Sequence, residues 1–251
     1  MSEFVGKVVL ITGGSRGLGK AMSLGFAEQG ATVIIVSRKQ DSCTALAEQI
    51  VQAGGQAVGI AANTGKTDDI DALVRQLKAD YARIDLLINN AGTNIALGPL
   101  TDLSPEQFDK MFQVNLRGPW YLASRIVPIM AANGGGSIIN ILSVAALRPP
   151  AYNGFYAATK SGLEAITKVM AQEWANDNIR VNAIAPGPYR SDLVDSSIAV
   201  IPGFEEGMRD STLLKRIAET DEILKPVFYL ASDGNITGTT LIADGGLTAN
   251  Q

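Results

Sequence analysis

Seven short apolar runs recur along this chain, and six longer stretches with helical periodicity lie between them. The runs cover residues 8–11, 33–36, 57–60, 86–88, 138–142, 181–184 and 241–243; only Asn140 and Asn182 interrupt them with a polar side chain. Unbroken runs of this kind suit strands covered by helices on both faces, as in a parallel sheet. The helical patterns span 18–29, 41–53, 67–81, 105–130, 155–174 and 221–231. Ser104-Pro105-Glu106-Gln107 opens the fourth, with a serine N-cap, proline at N1 and glutamine at N3. Gly118-Pro119 predicts a break into two helices. The alternation predicts a single α/β domain over 1–251, a doubly wound parallel sheet of about seven strands with helices on both faces. Residues 188–216 escape the pattern, with Pro202, Gly203, Gly207 and mixed charges, and are expected to form a lid over a site.

Composition narrows the chemistry. The chain has 251 residues, 46% hydrophobic and 18% charged, which supports a core and argues against disorder. A net charge of -4 predicts neither nucleic-acid binding nor a membrane-surface patch. Histidine is absent and Cys43 is the only cysteine. Those counts exclude a Ser-His-Asp or Cys-His machine, and no metal site is expected. An acid or base must then come from Tyr, Lys, Asp or Glu. One cysteine cannot form an internal disulfide, and no signal-like or spanning apolar segment is present, so a cytoplasmic location is expected.

The first run leads straight into Thr12-Gly13-Gly14-Ser15-Arg16-Gly17-Leu18-Gly19 and then a helical pattern. Such a turn brings backbone close to a pyrophosphate lying on a helix N-terminus. Gly13, Ser15, Arg16, Gly17, Leu18 and Gly19 are therefore candidate dinucleotide contacts. An acidic residue about 20 positions on would hold an unphosphorylated ribose. Ser37 and Arg38 stand there instead. Arg16 and Arg38 could together bind a 2′-phosphate through forked, charge-assisted hydrogen bonds, which points to NADP(H).

With these features the chain resembles the short-chain dehydrogenase/reductase family, a Rossmann-type fold, over nearly its whole length. The family's motifs stand here as Thr12 to Gly19, Asn89-Asn90-Ala91-Gly92, a helix Asn115, Ser143, the pair Tyr156 and Lys160, and Pro186-Gly187. Tyr-x-x-x-Lys alone arises often by chance; the ordered set does not. The resemblance implies a hydride exchanged between the cofactor and a carbonyl or alcohol, with Tyr156 as general acid or base. Ser143 would hold the substrate oxygen, Lys160 the nicotinamide ribose, and Asn115 a water leading to Lys160. It also implies cofactor contacts from Asn63, Thr64, Asn90, Ala91, Gly92, Tyr156, Lys160, Pro186, Gly187, Tyr189 and Ser191. Spacing agrees, since Tyr156 and Lys160 share a helix face, and a nearby ammonium should lower the tyrosine pKa by roughly 1–3 units from about 10.

Some positions depart from the family pattern. Asn63 replaces an aspartate that contacts adenine, and Tyr189 replaces a small aliphatic residue. Ala145, Leu147, Tyr152 and Tyr189 join Ser143 and Tyr156 as expected substrate contacts, with Ile95, Leu97 and the lid's Leu193, Ile198, Val200 and Phe204 nearby. That mostly apolar set predicts a neutral small-molecule ketone, although Arg190 and Arg209 could hold an anion. A 3-oxoacyl-(acyl-carrier-protein) reductase is the alternative enzyme, and a non-catalytic nucleotide sensor the alternative class. Residues 125–136 hold a single cation, Arg125, where a carrier protein would dock. A homo-oligomer, most often a tetramer in the family, is the expected assembly.

Overall fold

The computed structural model describes residues 3–250, with the backbone alone at 192, 193, 196 and 197. Four strands and three helices alternate first: β1 (Val8–Thr12), α1 (Gly17–Glu28), β2 (Thr32–Ser37), α2 (Gln40–Gln52), β3 (Gln56–Ala61), α3 (Thr67–Asp80) and β4 (Leu86–Asn89). Next come α4 (Pro105–Phe112), α5 (Gly118–Ala132), β5 (Gly136–Ile141), α6 (Gly154–Glu173) and β6 (Ile179–Pro186). Two short helices, α7 (Asp192–Val200) and α8 (Phe204–Asp210), precede α9 (Leu224–Ser232) and β7 (Thr240–Ala243). The sheet is parallel throughout, in the order β3-β2-β1-β4-β5-β6-β7. The expected doubly wound sheet is therefore observed, with seven strands.

Alternation along each strand splits the core in two. Val9 and Ile11 of β1 pack with Phe26, Ile223 and Val227 on one face, while Leu10 joins Leu73, Leu77, Leu122 and Ile126 on the other. The order in which strands are added reverses between β1 and β4, and ligands of open α/β sheets bind at such a switch point, beyond the strands' C-terminal ends.

The expected break at Gly118-Pro119 does not occur. Helical structure runs from α4 to α5 through a π-helical turn at Gln113–Arg117. There the Gly118 N–H reaches the Gln113 carbonyl five residues back. A widened turn absorbs the donor that Pro119 lacks, so the ladder is disturbed without the helix ending. The 188–216 stretch also holds more structure than its weak periodicity suggests, namely α7 and α8. Among the described residues no helix is long and apolar enough to cross a membrane.

Candidate functional site

The glycine-rich turn is sewn to the neighbouring strand end by one threonine and one asparagine. The Thr12 hydroxyl accepts from the N–H groups of Asn90 and Ala91 at 3.0 and 3.1 Å and donates to the Ile88 carbonyl at 3.3 Å. The Asn90 amide returns to the carbonyls of Thr12 and Gly13 at 3.0 and 3.1 Å. Asn90 and Ala91 thus stand beside the turn, and the Asn90 side chain holds its shape. A Cβ on Gly19 would lie 2.0 Å from the Gly13 carbonyl oxygen, so only glycine lets α1 begin this close to the turn.

This turn fits a dinucleotide. Arg16 occupies the N-cap of α1 without a side-chain cap, and the first turn carries no acidic residue. Its leading N–H groups and the positive end of the helix are left for an anion. The Ser15 hydroxyl donates to Ser37 at 2.9 Å, bringing the turn against the end of β2. Arg16 and Arg38 are exposed and make no ion pair among the described residues. Leu18 packs on the core. At the end of β3, Asn63 already uses its side-chain oxygen to accept from the Gly65 N–H at 3.0 Å, with Thr64 buried beside it. The oxygen expected to meet adenine is therefore held within its own loop, with one lone pair left.

Ser143, Tyr156, Lys160 and Asn115 gather across the end of β5. Tyr156 and Lys160 lie one turn apart on α6, with the Lys160 Nζ 5.8 Å from the centre of the Tyr156 ring. Lys160 is only 3% exposed and donates to the Ile141 carbonyl at 2.7 Å. Burial lowers its pKa from 10.5 to about 8. Tyr156 moves the other way: burial raises its pKa, and the Ser143 side chain only partly pulls it back. The expected lowering by Lys160 is thus corrected, because loss of water outweighs any help from a lysine already occupied with Ile141. The Ser143 hydroxyl also accepts from the Ala145 N–H at 3.2 Å, which fixes its position at the head of a short 3-10 turn.

Asn115 sits inside the π turn and is fully buried. Its amide donates to the Thr93 carbonyl at 2.8 Å and to the Thr159 hydroxyl at 3.1 Å, and its oxygen accepts from the Thr93 N–H at 2.8 Å. A Cβ on Gly92 would lie 3.6 Å from both the Asn115 oxygen and the Lys160 Nζ, so Gly92 stands between them. Thr12, Thr93 and Thr159 thus hold the site together, and sequence reasoning missed all three. Thr12 opens the glycine motif, Thr93 follows Gly92 and Thr159 lies between Tyr156 and Lys160, yet each is an ordinary residue whose partner only the fold supplies.

The expected substrate side divides. Ala145 is buried, Leu147 is exposed at the surface, and Tyr152 is 66% exposed in a left-handed conformation with φ 64°. Tyr189 packs into the main core with Ile223 and Val227 and leaves 9% of its surface free. Its backbone is pinned there, since Ala218 bonds to the residues on either side: its N–H donates to the Pro188 carbonyl at 3.0 Å and its carbonyl accepts from the Arg190 N–H at 2.8 Å. Pro186 ends β6, and the Gly187 N–H donates to Ala243 at 3.0 Å. The Ser191 hydroxyl accepts from the Val194 N–H at 3.2 Å and so starts α7. Arg190 binds Asp195 and Glu205, which neutralises it as an anion receptor. Exposed Ile95, Leu97, Val200 and Ile201 lie on the loop after β4 and on the lid; the Leu193 side chain lies outside the described residues.

Comparison with known proteins places this geometry. A family model described as Enoyl-(Acyl carrier protein) reductase matches residues 13–248. The 3-oxoacyl-[acyl-carrier-protein] reductase FabG of Thermotoga maritima is 35% identical over 249 residues, 96% of this chain and 98% of that protein. Among solved structures, L-sorbose reductase from Gluconobacter frateurii, complexed with NADPH and L-sorbose, superposes with a TM-score of 0.92 at 29% identity, covering 98% of each chain. Gluconate 5-dehydrogenase from Burkholderia cenocepacia, in complex with NADP and tartrate, gives 0.93 at 31% identity over 99% of this chain and 97% of that one.

Proposed function

Because the chain belongs to the short-chain dehydrogenase/reductase family of oxidoreductases, we propose that it moves a hydride between NADP(H) and a carbonyl or secondary alcohol. The observation that carries this reading is the convergence of Ser143, Tyr156 and buried Lys160 at the end of β5. The cofactor supplies the hydride, and the protein supplies orientation and electrostatics. Tyr156 stays protonated at neutral pH, so in the reducing direction its hydroxyl is ready to donate to a carbonyl oxygen gaining negative charge. Ser143 donates a second hydrogen bond to that oxygen. Lys160, with a pKa of about 8, remains mostly charged at pH 7 and favours the phenolate left behind.

Preference for NADP(H) rests on Arg16 and Arg38, exposed and without an ion pair among the described residues, beside the Ser15–Ser37 contact. The two solved relatives above contain NADPH or NADP. A neutral, largely apolar ketone suits the exposed Ile95, Leu97, Leu147, Val200 and Ile201, and the self-neutralised Arg190. The FabG relative favours a second reading, reduction of a carrier-bound 3-oxoacyl group. Against it, Arg125 is engaged with Tyr121 at 2.7 Å and Asp71 at 3.4 Å, which leaves an acidic carrier little to grip. The reading treats 1–251 as one domain acting in the cytoplasm, as a homo-oligomer and a tetramer by resemblance. Exposed Phe108, Trp120 and Val169 on α4, α5 and α6 would be covered in that assembly.

NADPH oxidation with cyclohexanone, beside a 3-oxoacyl thioester and with NADH in parallel, tests the substrate and cofactor assignments. Tyr156→Phe should cut turnover about 10²- to 10⁴-fold while NADPH still binds. Unaltered turnover in that variant would sink the mechanism.

A further inference from the structure

We propose that Arg148 is a positioning residue for substrate: it ties the loop after β5 to the foot of the lid through the C-terminal turn of the chain. The assignment of that side to substrate rests on the function proposed above. Arg148 lies between Ser143 and Tyr156, on the loop that also carries Leu147 and Tyr152. Its guanidinium donates to the Leu247 carbonyl at 2.9 Å and to the Asn250 carbonyl. These carbonyls belong to a 3-10 turn, Leu247–Ala249, and its exit; the ends of such turns are natural acceptors for a cation.

The same turn grips the lid from the other side. The Asn250 side chain donates to the Ser211 carbonyl at 3.2 Å, just past α8, and the Leu214 N–H donates to the Gly245 carbonyl at 3.0 Å. Leu213 packs so closely on Gly246 that a Cβ there would lie 2.9 Å from the Leu213 Cβ. The turn itself is stiff, because the Asp244 carboxylate accepts from the N–H groups of Gly246 and Thr248 at 2.8 and 2.7 Å and from the Thr248 hydroxyl at 2.8 Å. By contrast α8 contributes no fully buried side chain. A helix without an apolar anchor takes its place from polar ties at its ends. Arg148 and Asn250 are two such ties, and they join the two segments that flank the substrate.

Arg148→Ala should raise the KM for cyclohexanone about 3- to 10-fold, the range for losing exposed charge-assisted hydrogen bonds. Cofactor affinity and kcat should change less than about 2-fold, since Arg148 touches neither. Amide hydrogen exchange across 204–214 should quicken in Arg148→Ala and in Asn250→Ala, and Arg148→Lys should recover part of both effects. Exchange at 204–214 equal to the parent in both alanine variants overturns the tie. Faster exchange with an unchanged KM overturns the role in substrate binding. Should no carbonyl compound be reduced at all, the functional reading fails, and the exchange still decides whether Arg148 holds the lid.

Discussion

The ammonium of Lys160 donates to the Ile141 carbonyl at 2.7 Å, fastening the middle of α6 to the last residue of β5. Holding that charge out of water works against the fold. The folded pKa of about 8 lies below the ordinary 10.5, so the native state binds fewer protons than the unfolded chain between those values. Stability contributed by this group therefore rises as pH climbs from about 8 to 10.5, and the penalty is complete below 8. Lys160→Met removes the penalty and loses one hydrogen bond, worth about 1 kcal/mol. Denaturant titrations at pH 7 should show the variant more stable by about 1–3 kcal/mol, with the gap closing by pH 10.5. A gap independent of pH would show that the buried ammonium is not its source. Reductase activity should vanish.

Arg16 and Arg38 flank the 2.9 Å contact between Ser15 and Ser37 and are exposed to solvent. Replacing either with alanine should weaken NADPH binding about 10-fold and NADH binding less than about 3-fold, as expected for one charge-assisted contact to a phosphate. Calorimetric titration with both cofactors checks this. Equal weakening of the two would mean that the arginines do not read the 2′-phosphate.

Two glycines of one turn should behave very differently. Gly17 has φ 51° with open space around it, so Gly17→Ala should cost about 1 kcal/mol of left-handed strain, or about 2–4 °C in Tm. A Cβ on Gly19 meets the Gly13 carbonyl oxygen at 2.0 Å, which only backbone movement can relieve. Gly19→Ala should cost more than about 3 kcal/mol and abolish cofactor binding. Thermal melts of the pair make the comparison.

Asn115→Leu should destabilise by about 1–3 kcal/mol, because it leaves both backbone groups of half-buried Thr93 without their partner. Turnover at saturating cofactor should fall with it, since Thr93 adjoins Gly92 beside Lys160. Full stability with reduced turnover would point instead to a purely chemical role, such as the water placement that the resemblance implies.

Much of the fold was legible because the signals are local. Apolar runs of three to five residues between amphipathic stretches can be read one window at a time, and the sheet follows from their order. The Ser104 cap and the glycine turn are equally short-range. Pro119 misled, since its missing donor predicts an end to the helix unless a neighbouring turn widens, and the Gly118 N–H reaching Gln113 is a response of the surrounding packing. The lid helices escaped for a related reason: without a continuous apolar face they leave no periodic trace.

For the site, the sequence by itself determined which residues are available. Without histidine, and with Tyr156 four residues before Lys160, the chemistry was narrowed to a tyrosine and a lysine on one helix face. Ser37 and Arg38 stood where a carboxylate would have marked NAD, with Arg16 in the glycine turn as a second cation. Only the tertiary structure decided what state those groups are in. Burial is a sum over every element that surrounds an atom, so no local window shows that Tyr156 is pushed up, that Lys160 is pushed down, or that Tyr189 faces the core. Hydrogen-bond partners are likewise set by the fold. Asn115 reaches Thr93 and Thr159, and Arg148 reaches Asn250, across 22, 44 and 102 positions that spacing alone cannot relate.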